Sequence, residues 1–520
     1  MSDEKGLVRV HPEGEPQTAG IQGGETNASL DTFAGKVQVR WAPEAGVSSL
    51  GLMPFFIEFL KTSGRFEEWV EDCPLQYTSP NAPQKRDVLG TILLSVLAGH
   101  WRYAHISALR GDGVNPGLLG MRKVASEDSV RRALTALEEE ESEVWMKKHL
   151  RASYEPLLEE PWALDMDSTV KPLYGHQEDA KVGYNPQKPG RPSHVYHSYF
   201  IANLRMVMEV EVQAGNQTAA WFAQPGLWSL LDTLPGASRP RFLRGDCNWG
   251  NERAMEGAEQ RQIPYVFKLK QSANVKKLIV KVFGEDSWVE AGQGWQGLDT
   301  ELQLTGWSKK RRVIVLRRRL PEGILEKKTN KKSTKQLNLD LPEVMHQGVQ
   351  YEYAVLVTSL PDEVLTIAQH YRDRGDSENN FDELKNQWGW AGFTTHDRKR
   401  CQVMARITAL IYNWWTIFMR LGIPDKHAEA ITSRPLALQG IARLTRHSNQ
   451  TTIEVTSTHS KAPLIAAALV AVSGFLKRIK TAAEQLTKAA RWRLILSAAF
   501  QQFLRGRLLG AAPTLPEASA

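Results

Sequence analysis

The stretch from about residue 160 to 270 alternates strand-like and helix-like patterns, and this order constrains the fold more than any other feature of the chain. WALDMDSTV (162–170) is typical of a strand that ends in acids, and SYFIANLRMVMEVEVQ (198–213) predicts two further strands. RFLRGDCNWGN (241–251) begins as a strand and then meets turn residues, and YVFKLK (265–270) follows after a helical segment. The resulting order, β-β-β-α-β-α-β, predicts an α/β fold.

Two of the predicted strands lead directly into acids. Asp167 lies at the end of the first strand and Asp246 at the end of a later one, and Glu378 lies on a helix much further along the chain. Functional sites gather at strand ends in α/β sheets. Three converging carboxylates can hold Mg²⁺ or Mn²⁺, and a pair of such ions suits phosphodiester chemistry. Taken singly, acids in the positions of Asp167 and Asp246 are more often turn or N-cap residues than site residues.

The segment AQHYRDRGDSENNFDELKNQW (368–388) is crowded with charge. Tyr371, Arg374, Glu378 and Lys385 follow one another at spacings of three, four and seven residues. Such spacings bring side chains to nearly the same side of a helix, where they could grip a phosphate. The alternative is a solvated helix surface. Gly375 predicts a break, which would place Glu378 near the start of a second helix.

Positive charge is distributed unevenly along the chain. The net charge is only +7, yet Lys309–Lys335 holds twelve cations and two acids. A field of this kind suits DNA or RNA, with a solubilising loop or an anionic lipid contact as alternatives.

Composition shifts divide the chain into five predicted regions. They are a flexible lead (1–47, with one short strand near GKVQVRW), a helical region (48–155), an α/β core (156–270 and 351–415), a β-rich basic insertion with its own small sheet (271–350), and a helical C-terminal region (416–520). The 48–155 region is compatible with a DNA-binding domain and equally with a plain helical bundle.

Other features bear on compartment and cofactors. The three cysteines are far apart and form no CxxC pair, so the sequence indicates neither a disulfide framework nor a zinc finger and fits a cytoplasmic setting. The apolar run Ala462–Leu476 is short for a bilayer and predicts a buried helix, so no membrane partner is expected. The glycine-rich AGQGWQG (291–297) lacks the Lys and Ser/Thr of a phosphate-binding loop, so no nucleotide cofactor is expected.

These residues together resemble a known family. LDMDST (164–169), LRGDCNWGN (243–251) and the spacing of Tyr371, Arg374, Glu378 and Lys385 resemble the DDE transposases of bacterial insertion sequences, in the group with the YREK signature. YGHQEDAKVGYNPQKPGRPSHVYH (174–197) is similar to a stretch of one subgroup. The resemblance covers about residues 160–415.

The resemblance implies a ribonuclease-H-like mixed sheet with helices on both faces, interrupted by a β-rich insertion and flanked by helical regions. Asp167, Asp246 and Glu378 would then be catalytic ligands of two Mg²⁺ or Mn²⁺ ions, with Asp165 as the rival for the first position. Tyr371, Arg374 and Lys385 would contact DNA phosphates. The resemblance also implies a base-holding tryptophan from the insertion, for which the candidates are Trp288, Trp295 and Trp307, although core packing suits each of them as well.

The implied activity is cut-and-paste transposition in the bacterial cytoplasm, with cleavage at the transposon ends and strand transfer into target DNA. A hairpin intermediate is one route. The implied partners are the double-stranded inverted repeats, target DNA and a second copy of the chain, with the region 446–510 as a dimer surface or an ordinary helical core. Two alternatives stay open: a catalytically inactive, transposase-derived DNA-binding protein, and a structure-selective nuclease on the same fold.

Overall fold

A computed structural model describes residues 27–510 except 41, 43–44, 78, 80, 321–350, 425–426, 449, 457–458 and 484. The chain divides into two compact units, residues 1–46 and 47–520. The described part of the first unit is an antiparallel hairpin of β1 (Asn27–Thr32) and β2 (Gly35–Arg40). The strand expected near GKVQVRW is confirmed as β2, and β1 is a second strand that the sequence did not predict. The alternating segments pair across a turn that Gly35 allows with φ of 107°.

The N-terminal part of the second unit is helical, as its apolar periodicity predicts. After β3 (Val47–Ser48) come α1 (Met53–Ser63), α2 (Arg65–Glu71), α3 (Lys85–Leu97), α4 (Asn115–Leu118), α5 (Glu127–Ala136) and α6 (Glu139–Tyr154), with 3-10 helices at Tyr103–Gly111 and Glu155–Glu159. Ser126 caps α5 by accepting a hydrogen bond from the amide of Ser129 at 3.2 Å.

The middle of the chain contributes most of the strands. They are β4 (Ala163–Pro172), β5 (Lys181–Val182), β6 (Pro192–Ile201), β7 (Met206–Ala214), β8 (Phe242–Gly245), β9 (Tyr265–Lys268), β10 (Val289–Gly292), β11 (Trp295–Leu302), β12 (Arg311–Arg319) and β13 (Tyr351–Thr358). Among the described residues they form one ten-stranded sheet in the order β10-β11-β12-β13-β9-β8-β4-β6-β5, with β7 also paired to β6. β4, β8 and β9 run parallel, and the other pairs are antiparallel. The predicted α/β class is confirmed, and the large mixed sheet is consistent with a ribonuclease-H-like core.

Helices alternate with these strands and follow them. They are α7 (Ala220–Asp232), α8 (Glu252–Gln260), α9 (Ala273–Val282), α10 (Val364–Arg372), α11 (Gly375–Asn386) and α12 (Arg398–Gly422). The break between α10 and α11 falls just before Gly375, as the sequence predicts. Tyr371 therefore lies on a different helix from Glu378 and Lys385, and the expected single helix face is wrong.

The segment predicted as an insertion with a separate sheet is instead continuous with the core. β12 pairs with β13 from Val313↔Val357 to Arg319↔Tyr351, and β13 pairs with β9 of the core. The pattern of β10 to β12 shows strands but cannot show their partner, because strand pairing is decided by residues distant in sequence. Residues 321–350, which include much of the predicted basic run, lie outside the described residues.

The edge of the sheet at β7 is covered by α12. The Gln402 side chain accepts from the Val212 amide at 2.7 Å and donates to the Val210 carbonyl at 2.8 Å. Asn413 does the same for both backbone groups of Val207, at 2.9 and 2.8 Å. Two side-chain amides on one helix thus form hydrogen bonds with backbone N–H and C=O groups of β7 that would otherwise be unpaired at the edge of the sheet.

The C-terminal region differs from the expected all-helical arrangement. It contains α13 (Ala430–Ala437), a hairpin of β14 (Ile441–His447) and β15 (Gln450–Thr456), α14 (Ala462–Thr481) and α15 (Lys488–Ala499). β14 also pairs with β3 near the start of the unit. The threonine and β-branched residues of QTTIEVT favour a strand, so the helical prediction is wrong for 441–456.

Helices from both ends of the second unit share one core. Phe56 of α1 packs edge-on against Trp415 and Phe418 of α12, at ring-centroid distances of 5.4 and 5.2 Å. Residues 47–520 accordingly form one compact unit.

Helix α14 was expected to be buried, but much of it is exposed. It is the one helix among the described residues that is long and apolar enough to cross a membrane, with a hydropathy of 1.6 and 28% of its apolar window buried. Ile465, Leu469 and Val472 face the protein, whereas Leu464 and Val470 are exposed. The prediction of a buried helix is therefore wrong for one face.

Candidate active site

The first strand of the core carries two acids on one side of the sheet, and they have different surroundings. Asp165 lies opposite Arg244 in the parallel pairing of β4 with β8. Both Asp165 oxygens accept hydrogen bonds from the Arg244 guanidinium, at 2.5 and 2.7 Å, and both residues are almost fully buried. Asp165 is thus part of a buried structural ion pair, in which both of its oxygens already have a partner.

Asp167 lies two residues further along β4 and contacts a different arginine. Its Oδ1 accepts from the Ser168 amide at 2.7 Å, and its Oδ2 accepts from Arg374. The same guanidinium donates to Glu378 Oε1 at 2.8 Å. Arg374, only 8% exposed, therefore joins two of the three candidate acids.

Asp246 follows β8 directly and lies at the level of Asp167 in the middle of β4, because the parallel pairing of these strands ends at Met166↔Gly245. Its Oδ1 accepts from the Asn248 amide at 2.9 Å, which fixes the turn after the strand. Burial raises the pKa of Asp167 to about 7. The positive charge of Arg374 opposes this rise, and the negative charge of Asp246 adds to it. Asp246 is thus close enough to Asp167 for their charges to repel.

The Tyr371 hydroxyl belongs to the same group. Burial raises the pKa of Tyr371, Arg374 opposes that rise, and Asp246 and Glu378 add to it. Burial alone would lower the pKa of Arg374, but the neighbouring acids raise it. Hydrogen bonds thus join Asp167, Arg374 and Glu378, and Asp246 and Tyr371 lie within electrostatic range of this group.

Lys385 is the candidate that the structure does not bring to this group. It lies near the end of α11, half-buried, two turns beyond Glu378. Burial lowers the pKa of its ammonium group, and the charge that opposes this shift is that of Asp382.

The acids fit a divalent cation by their chemistry. Mg²⁺ and Mn²⁺ prefer carboxylate oxygens, and positive charge relieves the mutual repulsion of acids around the partly buried Asp167. In the described part of the chain no three His, Cys, Asp or Glu side chains lie close enough to hold a metal ion as they stand. The cation between Asp167 and Glu378 here is the Arg374 guanidinium.

Comparison with known proteins decides the family. The sequence profile of the family Transposase DDE domain group 1 matches residues 81–474, which is well over half of the chain. The chain belongs to this DDE transposase family.

Two further comparisons accompany this result. A solved structure, the cryo-EM structure of the piggyBac transposase synaptic complex with hairpin DNA, is similar at a TM-score of 0.38 and 10% identity, over 91% of this chain and 88% of that one. No curated protein matches the sequence.

In this DDE transposase family member, the three tryptophans of the segment before β13 lie against arginines. The ring of Trp288 has Arg317 at 3.8 Å from its centroid, Trp295 has Arg318 at 5.0 Å, and Trp307 has Arg311 at 5.4 Å. Trp307 is buried and the other two are half-buried. The base-holding role that the resemblance implies for one of them stays a prediction.

The described half of the basic run is largely neutralised within the protein. Arg311 is buried and pairs with Glu252 and Glu259, at 2.5 and 2.7 Å. Arg312 pairs with Asp299 at 2.6 Å. The strong positive field expected from Lys309–Lys335 is therefore much reduced over residues 309–319, because sequence counting cannot see acids that come from other elements.

A residue that the sequence reasoning missed anchors the helix of Glu378. Glu383, 1% exposed, accepts hydrogen bonds from Trp388 Nε1 at 3.0 Å, His427 Nε2 at 2.6 Å and the Ala430 amide at 3.0 Å. The last two partners come from the segment just before α13 and from its first residue. A buried glutamate on a charge-rich helix looks like surface in sequence, and only its long-range partners reveal its role.

We expect Glu383→Ala to lower the free energy of unfolding by about 2–3 kcal/mol, because buried donors lose their charged acceptor. Urea denaturation measures this. Glu383→Gln keeps an acceptor oxygen and should recover part of the loss. Asp382→Ala is the matched control, since Asp382 is exposed on the same helix. An equal loss in the control would contradict the anchoring role.

We expect Arg374→Ala to destabilise the metal-free protein by about 1–3 kcal/mol, because Asp167 then keeps its like-charged neighbours without a counterion. Protonation of Asp167 limits the loss. Thermal unfolding in EDTA and in Mn²⁺ measures it, and Mn²⁺ should stabilise the variant more than the wild type, since a bound cation replaces the missing charge.

The control for this prediction is Arg151→Ala, which removes an exposed pair with Glu155. Its effect should stay below about 0.5 kcal/mol and should not depend on Mn²⁺. If Mn²⁺ stabilised Arg374→Ala no more than the wild type, Arg374 would not be standing in for a metal ion.

Proposed function

We propose that the chain is a transposase that performs metal-dependent cleavage at transposon ends and strand transfer into target DNA. We include in this proposal its origin in a bacterial insertion sequence and its membership of the YREK group. The observation that supports it most is the shared Arg374 contact, which joins Asp167 on β4 to Glu378 on a distant helix. The charge of Asp246, which raises the pKa of Asp167, supports Asp246 as the third carboxylate.

Asp167, Asp246 and Glu378 would hold two Mg²⁺ or Mn²⁺ ions. Bound there, the ions would activate the attacking oxygen and stabilise the leaving oxygen of a phosphodiester. Asp165 is not part of this set, because both of its oxygens are engaged by Arg244.

The remaining side chains would act on the DNA phosphate. Arg374 offers a planar fork that can bind two phosphate oxygens once it leaves the acids, and Tyr371 offers a hydroxyl donor. Lys385, further along α11, would supply a point charge to the neighbouring backbone. The burial of Tyr371 and Arg374 would exclude water from this side of the phosphate and strengthen these contacts.

The reaction would be a series of displacements at phosphorus. Water attacks the phosphodiester at the transposon end and the 3′ oxygen leaves with a proton. That 3′-hydroxyl then attacks the opposite strand to form a hairpin, a second water opens it, and the freed 3′-hydroxyl attacks target DNA. Each step exchanges one P–O bond for another, so one site can serve them all.

The proposed partners follow from this chemistry. They are the two inverted repeats, target DNA and a second copy of the chain, because two ends must be held together. The C-terminal region is the proposed dimer surface. The proposed setting is the bacterial cytoplasm, and no nucleotide cofactor takes part.

The test is excision from a supercoiled donor plasmid that carries the coding region with its natural flanks. The purified protein with Mg²⁺ should release a linear fragment and join it to a second plasmid. Binding without any strand break would indicate a DNA-binding protein that has lost catalysis. Cleavage without joining would indicate a nuclease.

A further inference from the structure

The connection between β4 and β6, residues 173–192, forms a short arm that is firmly attached to the protein. The Glu178 carbonyl lies 2.7 Å from His194 Nε2, and the Glu178 amide donates to the His396 carbonyl at 2.8 Å. At its base, the Leu173 amide donates to the Pro192 carbonyl at 2.8 Å. The arm therefore presents its side chains in a fixed position.

The acids and the cations of the arm have different neighbours. Its two acids, Glu178 and Asp179, both contact Arg398 at the start of α12: the Arg398 amide donates to Glu178 at 2.9 Å and its guanidinium pairs with Asp179 at 2.8 Å. Its cations Lys181, Lys188 and Arg191 are exposed. Together with Arg398, the arm therefore carries four cations against two acids, of which Glu178 is itself exposed.

An exposed aromatic ring lies among these cations. Tyr174 is 67% exposed, with Lys188 Nζ at 5.0 Å and Arg191 Cζ at 4.8 Å from its ring centroid. Lys188 also donates to the Tyr174 hydroxyl. The Lys188 amide is fixed by the buried Asn185 side chain at 3.0 Å, so the loop that carries both cations is ordered around the ring.

The arm continues the strand that carries the first candidate acid. Asp167 lies on β4, and Tyr174 follows the end of that strand by two residues. At about 3.3 Å per residue, the seven steps along the chain from Asp167 to Tyr174 span at most about 23 Å. A strand of nucleic acid held at the acids could reach the ring.

We propose that Tyr174, Lys188 and Arg191 form a contact for single-stranded DNA, in which Tyr174 stacks on a base and the two cations hold its flanking phosphates. This inference rests on the proposed function, since strand cleavage and transfer expose unpaired DNA beside the site. An exposed ring with adjacent cations is the combination that binds single strands without sequence preference. The contact is separate from the three tryptophans before β13, which lie against arginines.

The test is fluorescence anisotropy of the full-length protein with a labelled thymidine oligonucleotide in EDTA. Tyr174→Ala should weaken binding about 5- to 150-fold, the range for loss of one stacked base. Tyr174→Phe keeps the ring and should bind nearly as the wild type does. The double variant Lys188→Ala, Arg191→Ala should reduce the slope of log affinity against log salt concentration by about 1.4, because two phosphate contacts are lost.

Tyr184→Ala is the matched control, because Tyr184 has the same 67% exposure on the same arm and no cation beside its ring among the described residues. It should bind the oligonucleotide as the wild type does. Wild-type affinity for Tyr174→Ala, or an equal loss in Tyr184→Ala, would overturn the inference. A loss confined to duplex DNA would overturn it as well.

The assay needs neither a divalent metal nor cleavage, so its result is independent of excision. If the donor plasmid is excised and Tyr174→Ala binds single strands normally, this inference alone fails. If Tyr174→Ala loses single-strand binding and excision never occurs, the proposed transposition fails and the contact remains.

Discussion

Replacing Asp246 by asparagine should reduce strand cleavage at least about a thousandfold, because a carboxylate that holds a catalytic cation supplies several kcal/mol of transition-state stabilisation. The fold should be unaffected. An asparagine side chain keeps an oxygen to accept from the Asn248 amide, which fixes the turn in the wild type at 2.9 Å. The measurement is the rate of donor-plasmid cleavage in Mg²⁺, with DNA affinity determined separately by gel shift.

The control for this variant is Asp299→Asn, which changes an exposed acid paired with Arg312 in β12. It should cleave and bind as the wild type does. Two results would contradict the role given to Asp246: cleavage by Asp246→Asn within tenfold of the wild type, or a parallel loss of DNA binding.

Replacing Asp165 by alanine should destabilise the fold but leave DNA cleavage intact. The free energy of unfolding should fall by about 3–5 kcal/mol, because Arg244 is then left charged and buried without its partner. The protein that remains folded should still cleave DNA, because Asp165 is engaged by Arg244 on both oxygens and takes no part in the proposed site. Urea denaturation and cleavage per folded molecule measure the two effects.

A matched comparison again uses Asp299→Asn, whose exposed ion pair should contribute less than about 1 kcal/mol. Loss of cleavage in fully folded Asp165→Ala, at the level of Asp246→Asn, would make Asp165 the first ligand and would contradict the choice of Asp167.

Asp246 could be placed after a strand because its signal is local, and it does follow β8 directly. The strand end expected at Asp167 is wrong, because β4 continues to Pro172 and Asp167 lies in its middle. The parallel register of β4 with β8 brings the two acids to the same level of the sheet. The sequence could not predict which of Asp165 and Asp167 forms the buried ion pair and which is left for the proposed site. The outcome depends on Arg244 lying opposite Asp165 in the register of two strands that are separated by about 80 residues.

The same limit explains the other differences. The strands of the supposed insertion extend the core sheet, and β14 pairs with β3 at the opposite end of the unit, because both outcomes depend on distant partners. The tryptophans looked available in sequence, yet the fold buries or half-buries all three, whereas Tyr174 is 67% exposed. Composition shows which side chains can act and leaves open which of them the fold exposes.

The central claim, that Asp167, Asp246 and Glu378 form one metal site, is tested most directly by Mn²⁺ binding in the presence of DNA, followed by electron paramagnetic resonance of the free ion. The wild type and Asp299→Asn should bind Mn²⁺ alike. Asp167→Asn, Asp246→Asn and Glu378→Gln should each weaken binding at least about tenfold, since each removes a charged oxygen ligand. Equal Mn²⁺ affinity in all five proteins would contradict the claim.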